Sequence, residues 1–475
     1  MSEIASLSPE SVWKLFDLIC SIPHPSGHET ALAERLKELA QENGLTCIQD
    51  AAGNLRIDRP ASPGKENLPR IIFQAHLDMV PVAEDENFDF TTMPITPYID
   101  GDVVRARGTT LGGDNGTGVA LALALLLEKD LQCGPLSGLF TLGEEIGLIG
   151  AGALDAKLLD GKYLINLDCG PDGEATIGCA GGARQEFKMS VEYDDAPAGV
   201  PLLITLDGLQ GGHSGECIHK NRGNAIKSLA GFLLEHSGIQ LNSFCSGRAD
   251  NAIPHEAQAK VWFNGDVAGL KNAAALFAVC LQKELKREQI TLTVAECSDV
   301  PRRKLTADSQ HRLLTALSLA PNGAFEFDEQ LNIVRTSSNL AAVFTEDCVV
   351  RIRTSQRSLV DSEREKASAM LAEHFALFGC SAEITCPYPG WTPDPESRLV
   401  KCCAAVWEKM HHTPLKLNAI HAGLESGILG KKNPELELIS LGPGAPACHT
   451  PREYVRIASM AAVYDYLKAI CGELM

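Results

Sequence analysis

Apolar and polar positions follow two regimes along the chain. Up to about residue 185, short apolar runs such as IIFQA (71–75), SGLFTL (137–142) and YLINL (163–167) alternate with helical stretches, the most apolar being VALALALLLE (119–128). This is the pattern of successive βα units. Runs without polar alternation belong to strands covered on both faces, so the pattern predicts an α/β fold with a helix-covered, largely parallel sheet. The opening MSEIASLSPESVWKLF predicts a helix instead of an export signal, with Ser8 as N-cap, Pro9 at the first helical position and Trp13, Phe16 and Ile19 facing the core.

From about 186 the regime changes. KMSVEY, LLITLDGL, AKVWF and ITLTV read as alternating strands, joined by helices near 224–237, 268–287, 310–320 and 362–378 and by the strand VVRIRTS at 349–355. Residues 186–385 thus read as an α+β domain of ordinary size. Arg351 and Arg353, alternating on that last strand, read as solvated surface. The Pro/Gly-rich YPGWTPDPES then forms a joint, followed by helix, strand, loop and helix to residue 475.

Composition narrows the function classes. Lys and Arg number 42 against 61 Asp and Glu, a formal charge of −19, which argues against nucleic acid or an anionic membrane as partner. At 45% hydrophobic and 22% charged residues the chain can bury a substantial core, as a soluble globular protein does. The longest apolar run, Val119 to Leu127, is too short to span a bilayer. Sixteen cysteines are scattered without a C-x-x-C pair, so they are expected to be reduced thiols in a cytoplasmic protein.

Candidate chemistry collects at the ends of the predicted strands, where α/β folds place their sites. His76 and Asp78 follow IIFQA and share a face in extended chain, so one can ligate a metal while the other orients it; a structural His–Asp hydrogen bond is the competing reading. Asp114 lies in the Gly-rich loop TTLGGDNG ahead of the apolar helix, as a cap or as something more. Glu144 and Glu145 follow SGLFTLG and are either a solvated pair or a site. Asp168 ends YLINL, and His449 sits in a Gly/Pro loop after LELISL.

Together His76, Asp114, Glu145, Asp168 and His449 make a mixed ligand set of the kind zinc accepts. Two Zn²⁺ against three carboxylates and one hydroxide would leave the site neutral, with Glu144 left over as a general base. Other chemistries fare worse. Ser214 has Gly212 two before it but Glu216 two after it, so no nucleophile elbow forms, and neither GLIGAGAL nor GCAGGA has the order of a nucleotide-binding loop.

These residues carry a resemblance. SIPHPS, QAHLDMVP, ARGTTLGGDNG, the GEE of TLGEEIG, INLD, GCAGG, GGHSGECIH with RGNA, NAIPHEA, QRSLVDS, YPGW, HAGLESG and GPGAPACHTP run from residue 21 to 451 in the order of the M20 metallopeptidases. Within them the chain resembles the aminoacyl-histidine dipeptidase (Xaa-His dipeptidase, peptidase D) branch. The resemblance implies a discontinuous catalytic domain of residues 1–185 and 386–475, with 186–385 inserted as a lid and dimerisation domain. The distance of about 280 residues between Asp168 and His449 fits a folded insertion.

It further implies two Zn²⁺ per subunit, replaceable by Co²⁺ or Mn²⁺: one on His76, Asp114 and Asp168, the other on Asp114, Glu145 and His449, with Asp114 bridging and its bond to Asn115 cis. Asp78 would hold His76, and Glu144 would pass a proton from the water activated by the zinc pair to the leaving amine. His213, Asn251 and Arg357 would engage the substrate carbonyl and terminal carboxylate, His213 often across a homodimer. His421, Gly423 and Glu425 occupy the HAGLE loop, where Glu425 would meet a substrate ammonium group. The implied activity is hydrolysis of dipeptides with a free N-terminus, preferentially Xaa-His and including β-Ala-His. The alternatives are another M20 hydrolase, either an N-acyl-amino-acid deacylase or a carboxypeptidase, and a non-catalytic metal-dependent binding protein. The loop departs from the branch in reading GGDNGT where GADNG with an apolar residue is commoner, and Thr450 stands where Ser is common.

Overall fold

The computed structural model describes residues 2–168, 170, 172–195, 199–286 and 289–474. The chain divides into two compact units, one of Met1–Cys179, Trp391–Ala419 and Leu424–Met475, the other of Ala180–Gly390 and Ile420–Gly423. The short second excursion at Ile420–Gly423 has no counterpart in the hydrophobic pattern.

The first unit is built on an eight-stranded mixed sheet. Its order is Thr46–Gln49, Leu55–Arg59, Leu136–Thr141, Ile71–His76, Tyr163–Asn166, Glu437–Ser440, Glu174–Cys179 and Lys416–Ile420. Strands Leu136–Thr141, Ile71–His76, Tyr163–Asn166 and Glu437–Ser440 pair in parallel, and the flanking pairs Thr46–Gln49/Leu55–Arg59, Leu55–Arg59/Leu136–Thr141 and Glu437–Ser440/Glu174–Cys179 are antiparallel. The three strands read from largely apolar runs are buried along their whole length, as parallel strands covered on both faces must be. Helix Gly113–Leu127 is buried on every side from Asn115 to Leu126. It starts six residues before the apolar run, because polar residues at its N-terminus are built into a kinked first turn with non-helical torsions at Asp114 and Asn115.

The N-terminal helix runs Glu10–Cys20 with Trp13, Phe16 and Ile19 in the core. Its cap is Pro9, not Ser8. Pro9 is extended and its carbonyl accepts from the Trp13 N–H, so the helix begins one residue later than the Pro-at-first-position rule places it. Among the described residues all cysteines are free thiols, and no helix is long and apolar enough to cross a membrane.

The second unit carries a nine-stranded sheet whose reported pairings are all antiparallel, from edge strand Thr291–Glu296 to edge strand Cys380–Tyr388. Helices Ala225–Glu235, Val267–Leu285, Ala307–Leu319 and Asp361–Ala376 share one apolar core with it, containing Phe187, Phe232, Phe244, Leu313 and Phe375. Arg351 and Arg353 are not simply solvated. Both reach Glu186 on the neighbouring strand, at 2.6 and 3.1 Å, so a single carboxylate ties two arginines across the sheet.

One buried feature of the first unit bears on the site. Each central parallel strand contributes one polar side chain to a row of zero exposure: Thr141, Gln74, Asn166 and Ser440. Gln74 Nε2 donates to Thr141 Oγ1 at 3.1 Å, Asn166 Nδ2 donates to Gln74 Oε1 at 2.6 Å, and Ser440 Oγ donates to Asn166 Oδ1. Side-chain direction repeats every two residues in a strand, so this row lies directly beneath His76 and Asp168. It fixes the stagger of the strand ends that carry them. Replacing Asn166 with Ala strips partners from Gln74 and Ser440 together, and is expected to lower stability by about 3 kcal/mol, read from the urea midpoint at constant m-value.

Candidate metal centre

At the carboxyl ends of the parallel strands, polar side chains converge on His76. The ring is 1% exposed and its two nitrogens face different partners. Nδ1 lies 3.0 Å from the Asp78 carbonyl and 3.4 Å from Asp78 Oδ1, while Nε2 points to Asp114 Oδ1 at 3.2 Å and Asp168 Oδ1 at 3.5 Å. A histidine anchored at one nitrogen and aimed into carboxylates with the other is arranged as a metal ligand.

Asp78 does more than hold the ring. Its carboxylate accepts from the backbone N–H of Glu144 at 2.9 Å, that of Glu145 at 3.1 Å and the Ser26 hydroxyl at 2.8 Å. Burial raises its pKa, but His76 and these donors outweigh that and hold the group at about 2. It is therefore a fixed anion that pins the turn carrying both glutamates.

On the other side, His449 Nε2 meets Glu145 Oε1 at 2.8 Å and Asp114 Oδ2 at 3.5 Å. Asp114 thus lies between two histidines, one oxygen toward each, and its peptide bond to Asn115 is cis. Asn115 Nδ2 donates to Asp168 Oδ1 at 2.6 Å. Among the described residues, three ligand groups have their donor atoms within 4.8 Å of one another: His76, Asp114 and Asp168; His76, Glu144 and Glu145; and Asp114, Cys448 and His449. A cleft of about 300 Å³ opens beside them, lined in part by Asp114, Asp168, Cys448 and Arg456.

The electrostatics describe a site short of positive charge. Burial, the Asp168 and Glu425 carboxylates and adjacent Glu145 push Glu144 up to about 9 against the pull of His76. Burial and Asp114 raise Asp168 to about 7. Asp114, although partly buried, is held well below the usual carboxylate range by His449 and His76. Asp114 and Glu145 in turn raise His449 to about 10. Among the described residues the ion-pair partners of Asp114, Glu145 and Asp168 are histidines only. Crowded carboxylates and two imidazoles fit divalent cations, which would relieve the repulsion and compete for the same donor atoms.

The remaining sequence-derived candidates fall in two places. His213 and Asn251 meet in the second unit, where strands Gly212–His213 and Ala252–Ile253 pair and the Ser214 N–H donates to the Asn251 carbonyl at 2.8 Å. Arg357 donates to the Tyr388 hydroxyl at 3.0 Å, its Nε buried without a partner. His421 Nε2 lies 2.7 Å from Ser337 Oγ, and burial with nearby Arg357 and His219 lowers it to about 3, so it is a neutral imidazole. A side chain at Gly423 would come within 2.7 Å of the Tyr388 ring. Glu425 belongs to the first unit and is 1% exposed, where one oxygen accepts from Gln74 at 2.5 Å and Thr141 at 2.8 Å and the other has no partner. It extends the buried polar row and faces no open surface.

Sequence reasoning missed Glu453, which binds the Asp114 loop, and Ser337 and Tyr388, which orient His421 and Arg357. All three act through partners distant in sequence, so no local spacing marks them.

Histidines and carboxylates grouped at the ends of parallel strands, beside a glutamate in reach of the same imidazole, define a metal-dependent hydrolase. The model of peptidase family M20/M25/M40 matches residues 72–473, and the chain belongs to that family of metallopeptidases. Over 100% of its length it is 38% identical to the cytosol non-specific dipeptidase of Escherichia coli, covering 99% of that protein. The crystal structure of aminoacylhistidine dipeptidase from Vibrio alginolyticus, also 38% identical, superposes with a TM-score of 0.90 over 99% of this chain and 98% of that one. A tripeptidase from Staphylococcus aureus shares the fold at 16% identity, with a TM-score of 0.61 over 98% of this chain and 99% of that one.

The raised pKa values have a measurable sign. At pH 7 the metal-free cluster holds a proton on His449 and partly on Asp168, which a cation bound there must displace, and one on Glu144, whose proton affinity a nearby cation lowers. Divalent-metal affinity is therefore expected to rise from pH 6 to 8, with proton release visible as a buffer-dependent enthalpy in titration calorimetry. A flat affinity with no proton release would contradict the charge balance described here.

Proposed function

We propose that this chain is a di-zinc dipeptidase that cleaves dipeptides with a free N-terminus, Xaa-His preferentially and β-Ala-His among them. The observation that carries the reading is Glu144. It lies within 4.8 Å of the donor atoms of His76 and Glu145. Although burial and neighbouring carboxylates raise its proton affinity in the metal-free cluster, cations held beside it would favour its charged form, the state that accepts a proton from water and returns it. Full-length similarity to a dipeptidase and to an aminoacylhistidine dipeptidase supports the substrate class.

His76, Asp114 and Asp168 would hold one zinc and Asp114, Glu145 and His449 the other, supplying Lewis acidity toward the scissile carbonyl and toward water. Glu144 takes the proton of the attacking water and delivers it to the leaving amine. Asp78 positions this base by fixing its backbone N–H, and keeps the His76 ring oriented. In the inserted domain, His213 and Asn251 would engage the substrate carbonyl. Burial and nearby Arg357 lower the pKa of His213. The neutral imidazole then has a ring N–H to offer an oxygen. Arg357 would bind the terminal carboxylate, its fork matching two oxygens, with His421 and Gly423 beside it. Glu425, being enclosed, would act on a substrate ammonium through its field. We read the enzyme as a cytoplasmic homodimer, in line with the cytosolic E. coli relative and with the His213 role that the M20 resemblance implies.

Purified protein is expected to hydrolyse Leu-His and β-Ala-His but not their N-acetylated forms, with loss of activity on chelation. Turnover of the acetylated forms alone would replace dipeptidase by deacylase. Glu144→Gln is expected to lower kcat by about 10²–10⁴-fold with zinc content by mass spectrometry unchanged. A variant with full activity would remove Glu144 from the mechanism.

A further inference from the structure

Glu453 is a buried carboxylate, 2% exposed, that takes no part in the mechanism above. It accepts four consecutive backbone N–H groups from a segment some 340 residues earlier. Oε2 takes those of Leu111 at 2.7 Å and Gly112 at 3.1 Å, and Oε1 takes those of Gly113 at 2.8 Å and Asp114 at 3.2 Å. An ordinary N-cap satisfies one or two such donors from within its own turn. Here one side chain from elsewhere in the fold satisfies the first two N–H groups of helix Gly113–Leu127 and the two that precede them, with its carboxylate at the positive end of the helix dipole.

The backbone of Glu453 belongs to the same closed loop as His449. The Glu453 N–H donates to the Thr450 carbonyl at 3.1 Å, Tyr454 N–H to the Pro446 carbonyl at 3.2 Å and Cys448 N–H to the Ala445 carbonyl at 3.1 Å. The loop from 445 to 454 is thereby closed on itself, with Ala447 and His449 at positive φ. Strand Tyr454–Arg456 then anchors the loop on Val103–Ala106. The contact also explains the departure in the GGDNG loop. A Cβ at Gly113 would lie 2.7 Å from Val455 Cγ2, 3.1 Å from Glu453 Oε1 and 3.3 Å from Ala445 Cβ, so Ala does not fit this chain's packing there.

We infer that Glu453 is a positioning residue for the metal centre, one carboxylate that sets the Asp114 loop against the His449 loop so that both side chains face the same cation. Asp114 and His449 already stand 3.5 Å apart across this joint. The inference rests on reading these two residues as metal ligands.

The test compares wild type, Glu453→Gln, Glu453→Asp and His449→Ala as full-length, chelator-treated protein titrated with Zn²⁺ alone, followed by kinetics of the reloaded enzymes on Leu-His. Gln replaces one acceptor oxygen by an N–H₂ facing N–H groups, and Asp keeps the charge but withdraws it by one methylene. Glu453→Gln is expected to weaken zinc binding by about 10–100-fold and to lower kcat with KM nearly unchanged, with excess Zn²⁺ restoring part of the rate and Glu453→Asp falling between it and wild type. If Glu453→Gln only lowers Tm while zinc affinity and kcat match wild type, Glu453 is merely structural and the inference is overturned. Where Gln prevents folding, judged by far-UV circular dichroism, Glu453→Asp decides by the same two readouts. If His449→Ala binds zinc as tightly as wild type, the ligand assignment itself fails and takes the inference with it.

Discussion

Repulsion among the carboxylates around His76 is the constraint against which the first unit is built. Asp78, Asp114, Asp168, Glu144 and Glu145 all reach toward one imidazole. Two like charges 4 Å apart cost about 4 kcal/mol at the effective dielectric of a protein surface, and more inside. Such a cluster persists only if its backbone supports are stiffer than the force spreading it.

Those supports come from three directions. Beneath lies the row of Thr141, Gln74, Asn166 and Ser440, which locks the strand ends in stagger. At the side, Asp78 grips two successive N–H groups and thereby the turn of Glu144 and Glu145. Across the cleft, Glu453 holds the loop of Asp114. Asp78 and Glu453 are satisfied chiefly by backbone donors and the row by amides and hydroxyls, while Glu425 at the end of the row keeps one oxygen without a partner. Less complete pairing is left to the groups proposed to carry the chemistry, Glu144 foremost.

Much of this is legible in the amino-acid sequence. The central strands betray themselves by mostly apolar runs that lack a polar alternation, and His76 and Asp168 follow such runs directly, so elements and candidate ligands can be read together. Hydrophobic pattern is silent where the determining partner is remote. Nothing near Glu453 distinguishes it from other acidic residues, because its partners are backbone groups at 111–114. Arg351 and Arg353 read as surface because their shared partner, Glu186, is on another strand. Glu425 sits in a loop motif, and local sequence does not say which side of a sheet a loop residue enters. The start of helix Gly113–Leu127 is hidden for a related reason: its first turn is polar and kinked to serve the site, not the core.

The two histidines of the cluster differ in one respect that reaches beyond equilibrium. His76 is 1% exposed while the His449 side chain is 46% exposed. Were an ion held on each side, the one at His449 could be approached by water or a competing chelator directly, whereas the one at His76 would have to leave past Asp114 and Asp168. The two positions would then exchange on different clocks, and a population stripped for a short time would contain molecules carrying a single ion on the His76 side. Such half-loaded molecules would be a defined species of the enzyme, with a composition set by the order of departure.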